Sequence, residues 1–265
     1  MSRNAIAVKI EGMKSLKLVA LVLLSASALS AFGDAPSPSP SASPAKSKYG
    51  PEAHRISLDH SYLQKAAAPD YWALSPYYTA QQTGAACSIA SVTMVINGAR
   101  ARQSLTADDE LASQNSILKK TGNDGWKKSV ENTGGGVALD QLGQYVGEAF
   151  KAYGLTPVDV QVFHAQKTPE FKKKLHDALV ENEKNANDFI IANFIQGVYT
   201  GDADAGHIAP VGAYDAVTKR VLIMDPDREW YEPYWVSEDT FLEGMSTTDK
   251  ASGMTRGFVW VKVQR

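Results

Sequence analysis

The sequence predicts an α+β protein, because it contains both segments with the period of a helix and segments typical of core strands. From residue 88 to residue 98, apolar side chains recur at helical spacing, and Asn97-Gly98 predicts the end of that helix. Two apolar runs, 208–214 and 221–224, are typical of core strands. The residues from Asp215 to Arg220 between them predict a hairpin turn, which makes the two strands antiparallel neighbours.

Other segments follow the same two patterns. The valine-rich run 158–163 predicts a strand that ends at His164, and residues 137–152 form a candidate amphipathic helix. Residues 170–183 are rich in lysine and glutamate and predict another helix. The cluster at 172–174, three lysines in a row, is interpreted as a solvated face of that helix.

Length and charge limit the function classes. The chain has 265 residues, of which 44% are hydrophobic, and its net charge is −2. That composition is typical of a globular protein with a sizeable core. A balanced charge gives no electrostatic reason to expect nucleic acid as a partner.

The N-terminus is typical of a secretory signal peptide. Lys14 and Lys17 precede a short apolar run, 18–24, and small residues follow it. We expect a signal peptide over 1–31 with cleavage near 28–35, a start at Met1 or Met13, and a protein that is periplasmic or secreted. An uncleaved membrane anchor is the alternative, although the apolar run is shorter than the roughly 20 residues that a membrane-spanning helix needs. We therefore expect no stable membrane anchor.

A spacer and a single folded domain follow. Residues 32–48 are rich in serine and proline, have little to bury, and predict an extended linker. Residues 49–265 then form the predicted catalytic domain.

Cys87 is the only cysteine in the chain. A lone cysteine cannot form an internal disulfide, so three interpretations stay open: a buried apolar side chain, an intermolecular bridge, or a reactive thiol. The polar and small residues 79–86 predict a loop, so Cys87 lies at or just inside the start of a helix. At that position unpaired backbone N–H groups and the helix dipole favour a thiolate, which is the nucleophilic form.

A nucleophilic thiol needs a base, and five histidines are candidates. We interpret four of them as structural or surface residues: His54, His60, His164 and His176. His207 differs because it opens the apolar run 208–214, and the neighbouring strand 221–224 leads directly to Asp225. Adjacent antiparallel strands can place the two side chains together, where the carboxylate orients the imidazole.

Four segments, in this order, resemble the phytochelatin synthases, a branch of the papain-like cysteine peptidases. QQTGAACSIASVTMVINGA is similar to the family's nucleophile helix, and GHIAPVGAYDAVTKRVLIMD is similar to its histidine and aspartate strands, with the two residues eighteen positions apart. REWYEPYWVSEDTFLEGM and TRGFVWV resemble the stretch that follows and the closing strand. The resemblance implies a papain-like α+β fold, in which a helical half carries the nucleophile and packs on an antiparallel sheet half.

The resemblance also implies roles. Cys87 is then the nucleophile, His207 the general base and acid, and Asp225 its orienting carboxylate. Gln81, six positions before the cysteine, completes the oxyanion hole, although the adjacent Gln82 is easily confused with it. The substrate-binding residues implied are Asn193, Gly206, Arg228, Tyr231 and Arg256.

The implied reaction is cleavage of the Cys–Gly bond of glutathione, or of a related γ-glutamyl thiol peptide. It passes through a γ-glutamylcysteinyl thioester. Short bacterial family members without the cysteine-rich C-terminal domain resemble hydrolases, so we expect mainly hydrolysis, with transfer that forms short phytochelatins as the weaker activity. The triad then needs no cofactor, and heavy-metal ions such as Cd and Zn enter as thiolate complexes of the substrate. The resemblance is compatible with a homodimer.

The chain departs from the family pattern around the nucleophile. Ser88 stands where the family usually has glycine, Ala86 where an aromatic residue often precedes the cysteine, and Pro226 follows the aspartate. Two further features are assigned no catalytic role: Gly134-Gly135-Gly136 predicts a loop or hinge, and the acidic loop before His207, with Asp202 and Asp204, contains no complete metal-ligand set.

Two other functions stay open at this point. One is an exported papain-like cysteine peptidase that acts on other peptides. The other is a binding protein that keeps the fold without catalysis.

Overall fold

The structure is a computed structural model that describes residues 47–263, except 102, 157 and 203. The predicted signal peptide, 1–31, lies outside the described residues, as does the predicted linker apart from Ser47 and Lys48. Among the described residues, no helix is both long enough and apolar enough to cross a membrane.

The helices fall into two groups along the chain. The first group precedes most of the strands: α1 (Ser61–Lys65), α2 (Pro69–Leu74), α3 (Cys87–Arg100), α4 (Gln114–Thr121), α5 (Asp124–Ser129) and α6 (Leu139–Ala152). The second group lies between the later strands: α7 (Pro169–Asn182), α8 (Gln196–Thr200) and α9 (Glu238–Met245). A short 3₁₀ turn, Ser75–Tyr77, follows α2.

The described strands form one antiparallel sheet in the order β1-β6-β5-β4-β3-β7-β2. Their bounds are β1 (His54–Arg55), β2 (Val158–His164), β3 (Asp188–Ile195), β4 (Gly206–Asp215), β5 (Arg220–Ile223), β6 (Tyr234–Ser237) and β7 (Gly257–Val263). A helical part that carries Cys87 therefore packs on an antiparallel sheet that carries His207. This arrangement fits a papain-like fold and confirms the predicted α+β class.

Tertiary packing holds α3 in place. Its N-cap residue, Ala86, makes no side-chain cap, and a missing cap typically costs about 1 kcal/mol. Ile89, Val92 and Ile96 are almost fully buried, and each such side chain contributes roughly 1.5–3 kcal/mol. The apolar face therefore outweighs the missing cap, and the helix can begin at Cys87 without a capping side chain.

The predicted end of this helix at Asn97-Gly98 is wrong, because α3 continues to Arg100. The side chain of Asn97 does not stop the helix. It bonds to the backbone of Ala112, with its Nδ2 donating to the carbonyl (2.9 Å) and its Oδ1 accepting from the N–H (2.8 Å). Gly98 lies so close to α2 that a Cβ there would come within 3.2 Å of the carbonyl oxygen of Ala73. Both residues serve packing between elements, which a local turn signal does not reveal.

The hairpin of β4 and β5 brings Asp225 towards the start of β4. The strands pair from Asp215↔Arg220 to Val211↔Ile223, with an irregularity between Val211 and Ala213. The N–H of Met224 then donates to the carbonyl of Pro210 at 2.9 Å. The next residue is therefore carried alongside the N-terminal end of β4, where His207 lies.

Candidate active site

Cys87 lies at the first position of α3 and is a free, buried thiol. Its N–H has no intrahelical partner at that position. The residue lines a cavity of about 200 Å³ together with His207. The predicted helix-start position is confirmed, and the sulfur faces enclosed space next to the candidate base.

His207 and Asp225 form a buried pair. His207 Nε2 lies 2.7 Å from Asp225 Oδ1, and both side chains are almost inaccessible to solvent. Burial opposes the charged imidazole, but the charge of Asp225 and hydrogen bonds to Asp225 and Cys87 outweigh it. They hold the pKa of His207 well above its ordinary value. An imidazolium beside the thiol is the state that stabilises a thiolate.

Asp225 is held by three further donors. Its Oδ1 also accepts the N–H of Asp227 (2.8 Å), and its Oδ2 accepts from Gln196 Nε2 (3.1 Å) and the hydroxyl of Tyr234 (2.9 Å). Burial would raise the pKa of Asp225, yet the His207 charge and these hydrogen bonds hold it below its ordinary value. Gln196 and Tyr234 were missed in the sequence, because no local motif marks a side chain that reaches Asp225 from another element.

Ser91 joins the helix of Cys87 to the strand of His207. Its hydroxyl lies 2.8 Å from the carbonyl oxygen of Cys87, one turn earlier, and 3.0 Å from that of Ile208. The hydroxyl is fully buried, so the contact is not exchanged with water. It ties the two catalytic elements together at the carbonyl of Cys87 itself and at the residue that follows His207.

Gln81 does not line the first cavity. It lines a second cavity of about 420 Å³, which His207 also lines. Its N–H donates to the carbonyl of Pro226 (2.9 Å), and its Oε1 is buried without a hydrogen-bond partner among the described residues. Both Gln81 and the neighbouring Gln82 line this cavity, but Gln81 is half-buried and its Oε1 is fully enclosed, whereas Gln82 is exposed.

The predicted substrate-binding residues divide between cavities. Asn193, Gly206 and Arg256 line the cavity of Cys87. Arg228 lines the second cavity, where its guanidinium stacks 4.4 Å from the ring of Tyr78. Tyr231 is buried and lines a third cavity that includes neither Cys87 nor His207. Its role in binding stays a prediction.

Arg256 and Asp249 give the first cavity a pair of opposite charges. Arg256 Nη2 lies 3.6 Å from Asp249 Oδ1, and its Nη1 donates to the carbonyl of Thr248 at 2.7 Å. The buried Nε has no partner among the described residues. Gly206 allows this approach, because a Cβ there would lie 3.1 Å from Arg256 Nη2. Asp249 was not identified from the sequence.

The glycine-rich segment 134–136 is a loop, as predicted, and its position was not foreseen. Gly135 and Gly136 line the cavity of Cys87. Gly134 is required by a close approach, since a Cβ there would lie 2.2 Å from the carbonyl oxygen of Ser129. The loop therefore forms one wall of the candidate acyl-binding cavity.

Ser88, which departs from the family pattern, has a defined partner. Its Oγ accepts a hydrogen bond from Trp126 Nε1 at 3.1 Å, and both residues are fully buried. Trp126 stacks on Tyr145 with a centroid separation of 5.0 Å. The hydroxyl thus links the residue after the nucleophile to α5.

Asp202, in the acidic loop before His207, contacts a neighbouring side chain. Asp202 accepts a hydrogen bond from the hydroxyl of Tyr231 at 2.8 Å. Across the described residues, no group of three or more His, Cys, Asp or Glu side chains is placed to hold a metal ion.

A comparison with known families agrees with this geometry. Residues 44–258 match the model of the family described as Phytochelatin synthase, which is most of the chain. The chain belongs to the phytochelatin synthase family. Members of this family are enzymes, and the predicted family membership is confirmed.

Several curated family members are similar to this chain. Glutathione gamma-glutamylcysteinyltransferase 1 of Arabidopsis thaliana is 25% identical over 209 residues, which cover 75% of this chain and 38% of that protein. The wheat (Triticum aestivum) protein of the same name is 31% identical over 102 residues, 38% of this chain and 20% of that protein. Glutathione gamma-glutamylcysteinyltransferase of Schizosaccharomyces pombe is 43% identical over 60 residues, 23% of this chain and 14% of that protein. In each case the match spans less than half the length of the relative.

Proposed function

We propose that this family member is a cysteine enzyme that cleaves the Cys–Gly bond of glutathione through a γ-glutamylcysteinyl thioester on Cys87. The observation that carries the proposal is the buried His207–Asp225 pair, 2.7 Å apart, whose imidazole lines one cavity with the lone thiol. The names of the curated relatives, which are glutathione gamma-glutamylcysteinyltransferases, support the choice of substrate.

In the acylation of Cys87, His207 acts as the general acid, because its raised pKa keeps the imidazole protonated. The thiolate of Cys87 attacks the cysteinyl carbonyl carbon and forms a C–S bond. The C–N bond to glycine then breaks, and the imidazolium gives its proton to the departing amine. Asp225 stays ionised and stabilises the imidazolium throughout.

The oxyanion that forms during attack needs donors. The backbone N–H of Cys87 has no helical partner, and Gln81 lines the second cavity together with His207. We propose that these two groups donate to the oxyanion. Nε2 of Gln81 is then the donor, whereas Oε1 of the same side chain is buried and has no partner among the described residues.

The first cavity suits the γ-glutamyl group. That group carries a free α-carboxylate and a free α-ammonium, and the cavity offers the guanidinium of Arg256 and the carboxylate of Asp249, 3.6 Å apart. An arginine fork pairs well with a carboxylate, and the buried Nε is a donor still to be satisfied. Asn193 adds a neutral polar side chain to the same wall. These charges favour a γ-glutamyl group over an internal segment of an ordinary peptide.

Deacylation completes the cycle. We propose that water is the main acceptor: His207 takes a proton from water, which attacks the thioester, and γ-glutamylcysteine leaves. The second cavity supports the attack by water, because it connects His207 to exposed residues such as Arg228 and Glu229. Water can reach the imidazole along this cavity. Transfer to a second glutathione, which forms short phytochelatins, is the weaker activity in this proposal.

Glycine release from glutathione tests the proposal. We expect release by the wild-type protein, and a loss of about 10⁴-fold or more in Cys87→Ala and in His207→Ala. Trp72→Ala is the matched control, because this exposed residue lines a different cavity. Cleavage of an ordinary peptide without glycine release from glutathione would support the alternative, a papain-like peptidase with other substrates.

We also propose export, on the basis of the charged and apolar N-terminal pattern before residue 31. Expression of the full chain in a bacterial host, followed by N-terminal sequencing of the periplasmic or secreted protein, is the test. A new N-terminus near residues 28–35 is the expected result. Retention of the intact N-terminus inside the cell would contradict it.

A further inference from the structure

The second cavity is larger than the leaving group of glutathione requires. Its volume is about 420 Å³, against about 200 Å³ for the cavity of Cys87. Cavities of 300–1,000 Å³ are the size that binds drug-sized ligands, whereas glycine has no side chain at all. The space beside His207 therefore has room for a much larger residue.

The assignment of this cavity to the leaving group rests on the proposed function. Both cavities share Gly206 and His207, so they adjoin at the candidate base. If the γ-glutamylcysteinyl group occupies the cavity of Cys87 and Arg256, the residue on the other side of the cleaved bond extends into the second cavity.

Trp230 is a large aromatic surface at this cavity. The residue is 60% exposed and lines the cavity together with Arg228. Its position is fixed by a hydrogen-bonded turn, in which the N–H groups of Trp230 and Tyr231 donate to the carbonyl of Asp227 at 3.0 and 2.9 Å. The ammonium of Lys48 lies 4.3 Å from the ring centroid. An exposed tryptophan on a hydrogen-bonded turn at a cavity is a typical contact for an aromatic or apolar ligand group.

Arg228 is placed for the carboxylate of such a residue. Its guanidinium stacks on Tyr78 and donates through Nη1 to the carbonyl of Tyr78 at 2.9 Å. These contacts fix the side chain, and a guanidinium has further N–H donors. Asp227 and Glu229, which also line the cavity, disfavour an acidic side chain there.

We propose that the substrates of this enzyme include γ-glutamyl-cysteinyl peptides with a large, uncharged C-terminal residue. Trp230 contacts the side chain of that residue, and Arg228 binds its carboxylate. The chemistry is the same as for glutathione: the C–S bond to Cys87 forms, the C–N bond breaks, and His207 protonates the departing amino acid. Glycine is then the smallest leaving group that the site accepts.

Three synthetic peptides test the proposal: γ-Glu-Cys-Gly, γ-Glu-Cys-Phe and γ-Glu-Cys-Glu, each assayed for release of its C-terminal amino acid. We expect kcat/KM for the phenylalanine peptide to equal or exceed that for glutathione, and the glutamate peptide to react at least about tenfold more slowly. In Trp230→Ala the phenylalanine-to-glycine ratio of kcat/KM should fall about fivefold or more, and Trp230→Phe should restore it.

Trp72→Ala is the matched control, since this tryptophan is 57% exposed and lines a different cavity. Its phenylalanine-to-glycine ratio should equal that of the wild type. A wild-type enzyme that cleaves glutathione but cleaves the phenylalanine peptide more than tenfold more slowly would overturn the proposal and leave the proposed function intact. An unchanged ratio in Trp230→Ala would do the same. Absence of glycine release from glutathione would overturn both.

Discussion

The hydroxyl of Ser91 lies 3.0 Å from the carbonyl oxygen of Ile208, and this contact joins the helix of Cys87 to the strand of His207. Its single proton is shared with the carbonyl of Cys87, at 2.8 Å. Because Ile208 directly follows His207, a shift of α3 along the sheet would change the distance between thiol and imidazole. The contact thus fixes the packing of α3 on the sheet and, with it, the distance between the thiol of Cys87 and the imidazole of His207.

Ser91→Ala should therefore affect catalysis more than stability. A buried neutral hydrogen bond contributes about 1 kcal/mol to folding. We expect a loss of that order in urea denaturation, together with a fall of about tenfold in kcat/KM for glycine release. Thr93→Val is the control, because the Thr93 hydroxyl donates to the carbonyl of Ile89, within its own helix. Equal losses of activity in both variants would argue against a positioning role.

Tyr234→Phe should shift the pH dependence of activity. The Tyr234 hydroxyl helps to hold the pKa of Asp225 below its ordinary value. A depressed carboxyl pKa contributes stability that is present above about pH 3.8 and is lost as the pH falls through the lower folded value. Without the hydroxyl, the pKa of Asp225 rises, and the acid limb of the pH–kcat/KM profile should move to higher pH. At neutral pH we expect kcat/KM to fall about tenfold, which corresponds to about 1.4 kcal/mol.

Tyr199→Phe provides the comparison. Tyr199 is also fully buried, and its hydroxyl donates to the carbonyl of Phe241 at 2.9 Å, away from Asp225. This variant should lose similar stability while its acid limb stays where it is in the wild type. A shift of both profiles by the same amount would mean that loss of a buried hydroxyl, rather than contact with Asp225, moves the acid limb.

Alkylation of Cys87 reports on the thiol–imidazole pair. The raised pKa of His207 keeps a positive charge beside the sulfur at mildly acidic pH. We expect iodoacetamide to label Cys87 rapidly at pH 6, and His207→Ala to slow labelling about tenfold or more. His164→Ala, which removes a histidine bound to Asp140 at 3.0 Å, should label as fast as the wild type. Slow labelling of the wild type, like that of an ordinary thiol, would favour a non-catalytic binding protein.

A second carboxyl, which is only partly buried, controls the pH dependence of stability away from the site. Glu183 accepts the N–H of Tyr214 at 2.7 Å and meets the hydroxyl of Tyr62 at 2.9 Å, and burial raises its pKa to about 7. Because its folded pKa lies above the unfolded value, its contribution is fully present below about pH 4.5 and is lost as the pH rises through about 7. Glu183→Gln keeps a neutral group there and should remove roughly 2 kcal/mol of pH dependence between pH 5 and pH 8.

Thermal denaturation of Glu183→Gln and the wild type at both pH values measures this difference. Glu181→Gln is the control, since this exposed residue lies two positions earlier and pairs with Lys184 at the surface. The control should follow the wild-type pH dependence. Parallel curves for wild type and Glu183→Gln would contradict a raised pKa at Glu183.

The sequence predicts elements whose pattern is local. The strands that carry His207 and lead to Asp225 were predicted because apolar runs and a polar turn suffice to define a hairpin. The end of α3 was not predicted correctly. Asn97 and Gly98 are typical of a helix end, but their contacts with Ala112 and Ala73 place them inside the helix. Tertiary packing decides such boundaries.

The candidate site was predictable only where a motif marks it. Cys87, His207 and Gln81 belong to segments whose resemblance implies their roles, whereas the segment of Tyr234 gives no sign that its hydroxyl contacts Asp225, and Gln196 lies in none of the four segments. Tyr234 reaches Asp225 because β5 and β6 pair through Ile223↔Tyr234. Gln196 reaches Asp225 from the first position of α8, which follows β3. Neither contact can be predicted from the spacing of residues in the sequence.

The most direct test of the account is the mass of the protein during turnover. After brief incubation with glutathione and an acid quench, intact mass spectrometry should show a γ-glutamylcysteinyl adduct on Cys87. The adduct should be labile to hydroxylamine, as a thioester is, and absent from Cys87→Ala. Release of glycine by a protein that never carries this adduct, or an adduct that persists in Cys87→Ala, would contradict thioester catalysis by Cys87.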